Sequence, residues 1–165
     1  CSILQERNKS LVSCDPQTIP SLFSQSVEKN SDKTAYTEFD DEQQHWVDYT
    51  WSQMAQRVRS FQSVLEDIEL DRGDRVAVWL PNGTNWVAID VAVLSLGLVV
   101  VPLYIHDSVS NILHIIANSG SKLCVVDTRK RQRELTEHPD FPASSCRVWL
   151  LDEADRSAPP SNRNK

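Results

Sequence analysis

Glycine is scarce in this chain: Gly73, Gly83, Gly97 and Gly120 are the only four in 165 residues. Phosphate approaches a backbone closely only where side chains are missing, so nucleotide loops are built on clustered glycines. Neither G-x-G-x-x-G nor G-x-x-x-x-G-K-[ST] can be written with these four, and G-x-S-x-G is also absent. A self-contained Rossmann or P-loop site and a hydrolase nucleophile are therefore disfavoured. The cysteines are equally uninformative as ligands. Cys1, Cys14, Cys124 and Cys146 form no C-x-x-C pair and have no histidine at the short spacing a zinc site requires, so no metal site is expected. Their scattered spacing does not resemble a disulfide framework either, and a reducing, cytoplasmic setting fits it best.

Positive charge is also short, with 17 Lys and Arg against 23 Asp and Glu and a net charge of -6. Phosphate backbones are given no broad basic surface, and nucleic acid is not an expected partner. The one basic cluster, Arg129, Lys130, Arg131 and Arg133, is followed at once by Glu134, Glu137 and Asp140 and reads as a solvated helix face. No basic segment followed by an apolar run marks a secretory signal at the start. One long apolar stretch, Val87 to Ile105, approaches the length of a membrane span. Asp90 inside it, and Gly97 and Pro102 dividing it, make it a buried helix leading into a buried strand instead. No transmembrane segment is expected, and peripheral contact with a membrane is compatible with this composition.

What is present is an ordered alternation of helical and extended signals. Residues 1–17 and 157–165 are polar, lack periodicity and read as disordered ends, leaving 18–156 as the folded domain. Thr18, with Pro20 in the first turn, opens a short amphipathic helix carrying Leu22, Phe23, Ser26 and Val27. Ala35 to Phe39 and Trp46 to Tyr49, separated by a polar segment, suggest a hairpin. Thr50 and Gln53 fit a capping box, and Met54, Val58, Phe61, Val64 and Leu65 continue as one buried stripe.

Arg72-Gly73-Asp74 then turns the chain into Val76 to Leu80, an apolar run suited to a strand covered on both faces. A helix over Trp86, Ile89, Val93, Leu94 and Leu96 ends at Gly97, and Leu98 to Leu103 is expected as a second buried strand. Asp107 or Ser108 caps a helix carrying Ile112, Ile115 and Ile116, which Ser119-Gly120 ends before a strand at Lys122 to Val126. Asp127 or Thr128 caps another helix, and Arg147 to Leu151 is a fourth strand. The fold class is α/β: a parallel sheet of about four strands with flanking helices, preceded by a helix and a β-hairpin.

Among single residues, His106 follows the second strand at the carboxyl end of the sheet, where ligands bind in open α/β folds, and Asp107 adjoins it. Neighbours in an extended segment point to opposite sides, so the pair reads as a loop without catalytic role. His114 reads as half-buried on its helix, and His45 and His138 lie in polar segments. Asp40, Asp41 and Glu42 read as a solvated loop. Trp46, Trp51, Trp79, Trp86 and Trp149 fall mostly on core elements, where packing accounts for them. No catalytic, cofactor-binding or metal-ligating residue is assigned.

The order of the motifs carries more than any one of them. Asp48-Tyr49-Thr50-Trp51-Ser52-Gln53-Met54 resembles the opening motif of AMP-forming synthetases, written near Y-T-Y-x-E-L. Asp71 to Gly83 is similar to their G-D-R-V-A-I-x-L-x-N segment, Trp86-Val87-Ala88 stands at their E-W-V run, and Leu94 to Tyr104 is similar to their A-G-A-V-V-V-P-L-Y motif. Ile112 to Val126 continues the pattern through the Asn118-Ser119-Gly120 turn. Over Ile19 to Asp127 the chain thus resembles the adenylate-forming acyl-CoA synthetases, and Val101-Pro102-Leu103-Tyr104 resembles their long-chain fatty acyl branch.

That resemblance implies a parent enzyme that couples a fatty acid to ATP as an acyl-adenylate and then passes the acyl group to coenzyme A, with Mg²⁺ assisting. The family's Ser/Thr/Gly loop ending in Pro-Lys-Gly and its later catalytic segments are absent from this sequence. Leu150-Leu151-Asp152-Glu153 resembles the strand preceding that loop. The chain is therefore expected to be inactive alone and to pack against the remainder of a synthetase. Two alternatives stay open: a stand-alone interaction or hydrophobic-ligand-binding module with a synthetase-like half-fold, and a flavodoxin-like binding domain. The sequence departs from the family at Gln53, where Glu is usual, and at Leu96, where Ala is usual.

Overall fold

The computed structural model describes residues 18–40 and 43–151. Both terminal segments read as disordered, with Asp152 and Glu153 and the boundary at 156, lie outside the described residues. Helix α1 (Ile19–Asn30) leads to the antiparallel hairpin β1 (Thr34–Asp40) and β2 (His45–Thr50), and α2 (Trp51–Asp67) follows directly. Then come β3 (Arg75–Trp79), α3 (Thr84–Ser95), β4 (Val99–Pro102), α4 (Val109–Ser119), β5 (Leu123–Val126), α5 (Arg129–Thr136) and β6 (Arg147–Leu150). The four later strands form one parallel sheet in the order β4-β3-β5-β6.

Local chemistry sets the helix starts where the sequence places them. Thr50 Oγ1 accepts the Gln53 N–H at 3.3 Å while Gln53 Oε1 accepts the Thr50 N–H at 2.8 Å, so glutamine closes the capping box in place of the usual glutamate. Thr18 caps α1, and of the two alternatives at each later start it is the hydroxyls of Ser108 and Thr128 that cap α4 and α5. Gly97 and Gly120 follow α3 and α4 at φ +74 and +62, left-handed values that a side chain disfavours.

Because β4 lies on one side of β3 and β5 on the other, the crossover changes direction, and right-handed connections then put the intervening helices on opposite faces. The observed cores agree. Val76, Val78 and Leu80 join Met54, Val58, Phe61 and Leu65 of α2 and Ile89, Ala92 and Val93 of α3. On the other face Ala77 and Trp79 join Ile112, Leu113 and Ile116 of α4 and Leu135 of α5. The amino ends are tied as well: the Lys122 ammonium lies 2.8 Å from Asp74 Oδ2 and holds that carboxyl below the usual carboxylate range. The stretch from Val87 to Ile105 is the body of α3 followed by β4, and no described helix is long and apolar enough to cross a membrane.

Several expectations are corrected. Leu98 to Leu103 is not a fully buried strand: β4 covers only Val99–Pro102, it is a sheet edge, and Val99 is 44% exposed. Helix α1 buries none of its residues completely and leaves Leu22 exposed, because only one flank of it meets the body. Trp46 is 68% exposed on the hairpin, edge-on to its cross-strand partner Phe39 at 5.2 Å. His114 is exposed, on the side of α4 away from Ile112 and Ile116. Leu96, bulkier than the family's alanine, is half-buried against the first core.

Phe61 is fully buried and meets Trp149 of β6 edge-on at 5.7 Å, joining α2 to the far end of the sheet. Phe61→Ala is expected to cost about 3–5 kcal/mol. Urea unfolding should show a lower midpoint, and an unchanged midpoint would contradict this packing.

Candidate functional site

Two places where polar side chains gather lie just beyond the sheet. The first joins the hairpin to the start of α3. Arg57 projects from the buried stripe of α2 and is only 4% exposed. Its Nη1 donates to Thr84 Oγ1 at 2.6 Å and to Asn85 Oδ1 at 2.9 Å, and its guanidinium lies 4.9 Å from the centre of the Tyr49 ring. Thr84 Oγ1 in turn donates to Glu38 Oε2 at 2.7 Å, and the same carboxylate oxygen accepts the Thr84 N–H at 3.4 Å. Glu38 thereby supplies an anion to the positive start of α3. The chain of donors runs Arg57 to Thr84 to Glu38 and satisfies a cation that burial would otherwise penalise.

The second place is a cavity of about 440 Å³ at the carboxyl end of the sheet, bordered by Trp79 of β3, by the loop after β4 and by the first turn of α5. His106 lies on its rim, exposed, with its ring 5.6 Å from that of Tyr104. Asp107 does not serve it. The Asp107 carboxylate accepts the Ser108 N–H at 2.9 Å and also the Asn111 amide, so it belongs to the start of α4. The structure thus brings His106 to the cavity without an orienting carboxylate from Asp107.

The basic cluster needs a correction here. Arg129, Lys130 and Arg133 are solvated, but Arg131 is half-buried, paired with Asp127 and laid over the Trp79 indole at 5.4 Å. Cys124 and Cys146 are free and buried in the second core; burial pushes the Cys146 thiol up to about 11 and Cys124 higher still, so neither is a ready nucleophile.

The sequence reading points to His106 at the second place but misses the Arg57 cluster and the meeting of Trp79 with Arg131. Arg57 stands three residues after Met54 on an apolar stripe, and a charge at such a position signals a buried pair. For Trp79 and Arg131 no local signal exists, since they come together only when β3 and β5 pair.

Geometry and motif order lead to one family. The AMP-binding enzyme family matches over residues 23–164. The chain belongs to that family. Among curated relatives, the long-chain-fatty-acid–CoA ligase heimdall of Drosophila melanogaster is 28% identical over 122 residues, 73% of this chain and 18% of that protein. The long-chain-fatty-acid–AMP ligase FadD26 of Mycobacterium tuberculosis is 35% identical over 90 residues, 53% of this chain and 15% of that protein. Among solved structures, the N-terminal domain of FACL13 from Mycobacterium tuberculosis shares the fold at a TM-score of 0.73 and 22% identity, covering 90% of this chain and 39% of that one. The chain thus spans less than a fifth of the length of these two curated relatives. Its α/β architecture matches part of that N-terminal domain.

A Cβ on Gly83 would lie 2.3 Å from Glu38 Oε1, at the tip of a side chain that can swing away. Gly83→Ala therefore acts by dislodging Glu38. Each of Glu38→Ala and Gly83→Ala is expected to cost about 1–3 kcal/mol in urea unfolding. The double variant should cost no more than Glu38→Ala alone, because both remove one interaction. Additive losses would contradict the link.

Proposed function

We propose that this chain is the amino-terminal part of an ATP-dependent long-chain fatty acid–CoA ligase, serving as the scaffold beside which the reaction is carried out. The match to the AMP-binding enzyme family over residues 23–164 supports this reading, as does a match over 73% of this chain to a relative named as a long-chain-fatty-acid–CoA ligase. In the proposed parent, a fatty acid carboxylate attacks the α-phosphate of ATP, releasing pyrophosphate and forming an acyl-adenylate. The thiol of coenzyme A then takes the acyl group and AMP leaves.

Such steps need donors and cations gathered round a triphosphate. The residues here do not fit that task. Among the described residues no group of three or more His, Cys, Asp or Glu could hold a metal ion. The loop after β3 is Leu80-Pro81-Asn82-Gly83, too short to wrap phosphates, and Gly83 is already filled against by Glu38. No step of the ligation is therefore assigned to these side chains. Their role is to hold the sheet and its two helical layers as a scaffold beside the remainder of the synthetase. A cytoplasmic setting suits the two free, buried thiols.

The purified 165-residue chain, given ATP, Mg²⁺, palmitate and coenzyme A, is expected to release no pyrophosphate above buffer. A form of the same gene product extended through a Pro-Lys-Gly loop and its catalytic segments is expected to release it. Pyrophosphate release by the short chain would overturn the scaffold role, and an extended form lacking ligase activity would overturn the parent assignment.

A further inference from the structure

The turn between β3 and α3 contains the only Asn-Gly pair of the chain, Asn82-Gly83, and the ligase reading gives it no task. An asparagine side chain can be attacked at its carbonyl carbon by the backbone nitrogen of the next residue, and glycine in that place puts no side chain in the way. The structure leaves this route open. Asn82 is exposed, and Gly83 follows it in extended backbone at φ 162 and ψ -174. Neither the Asn82 amide nor the Gly83 N–H meets a hydrogen-bond partner among the described residues. The other described asparagines, Asn30, Asn85, Asn111 and Asn118, lie in helices, and each is followed by a residue with a side chain. Helical dihedrals keep the following nitrogen off the side-chain carbonyl.

The turn also lies where the hairpin is fastened to the body. Glu38 Oε2 accepts the Thr84 hydroxyl at 2.7 Å and the Thr84 N–H at 3.4 Å. A Cβ on Gly83 would lie 2.3 Å from Glu38 Oε1, so this carboxylate rests directly against the glycine. The start of α3 already has Glu38 as its anion, and a second carboxylate one residue before Gly83 adds repulsion. A longer backbone at the same position would move Gly83 itself.

We infer that Asn82-Gly83 is a self-modification site, where the folded chain converts Asn82 to aspartate and isoaspartate with water as the only co-reactant, loosening Glu38 from the start of α3. The Gly83 nitrogen bonds to Asn82 Cγ and gives up its proton, the Cγ–Nδ2 bond breaks, and ammonia leaves a cyclic imide behind. Water then opens the imide at either carbonyl. One opening restores the backbone as aspartate; the other routes it through the side-chain carbons as isoaspartate, longer by a methylene. Nothing is oxidised or reduced, and each product carries a carboxylate in place of a neutral amide. The site stands on this turn alone and does not depend on the ligase assignment.

The test is storage of the folded 165-residue chain at mildly alkaline pH, followed by peptide mass mapping with fragment sequencing and by labelling with an isoaspartyl methyltransferase. An amide-to-acid mass gain at Asn82 is expected, with isoaspartyl label on the same peptide and intact amides at Asn85, Asn111 and Asn118. Urea unfolding should then show a lower midpoint for the stored chain than for the fresh one. Asn82→Gln, whose longer side chain closes the imide far less readily, should keep both its mass and its midpoint. In Glu38→Ala, storage should lower the midpoint much less, because the contact it would loosen is already gone. Acid product that forms at Asn82 only in urea, or to no greater extent than at Asn118, would overturn the site. Conversion that leaves the midpoint unchanged, or lowers it equally in Glu38→Ala, would overturn the link to Glu38.

Discussion

The fold depends on one strand being covered on both faces. In β3, Val76 and Val78 point into the core shared with α2 and α3, while Ala77 and Trp79 point into the core shared with α4 and α5. The same strand is hydrogen-bonded on both edges, to β4 and to β5. The two cores therefore cannot form independently, since the four consecutive residues Val76 to Trp79 serve them alternately. Placing β3 centrally also forces the chain to reverse direction after β4, and that reversal opens the cavity at the carboxyl end. The hairpin is attached from outside this arrangement, through the buried Val47, the half-buried Tyr49 and the Glu38 carboxylate at the start of α3.

Much of this was legible because the signals are local. Thr50 and Gln53 bond reciprocally within one turn, Gly120 ends α4 in a left-handed conformation, and the intervals of Met54, Val58, Phe61 and Leu65 match a helical face. What stayed hidden is what depends on pairs distant in sequence. A continuous apolar run such as Leu98 to Leu103 reads the same in a central strand and in an edge strand, and only the order β4-β3-β5-β6 decides that Val99 meets solvent. Arg57 finds its partners 27 and 28 residues away, and Arg131 reaches Trp79 from another helix. Trp46, on a strand with aromatic neighbours, looks like core until the hairpin is seen to lie at the periphery.

The candidate site divides in the same way. The motifs that place the chain among the AMP-binding enzymes describe the scaffold: a capped helix, a doubly covered strand and a Gly-ended turn. In the loop after β3, Glu38 is seated against Gly83 and Thr84. The polar group left unmet, the Trp79 indole, belongs to the last residue of β3 and lies in the other core.

Hydrogen exchange read residue by residue in the 165-residue chain tests the central place of β3 most directly. The amides of Val76 to Trp79 should exchange only through global unfolding, while those of Tyr36 to Phe39 in the hairpin exchange through a smaller, cheaper opening. Protection in β3 no greater than in the hairpin would contradict the claim that one doubly covered strand holds both cores together.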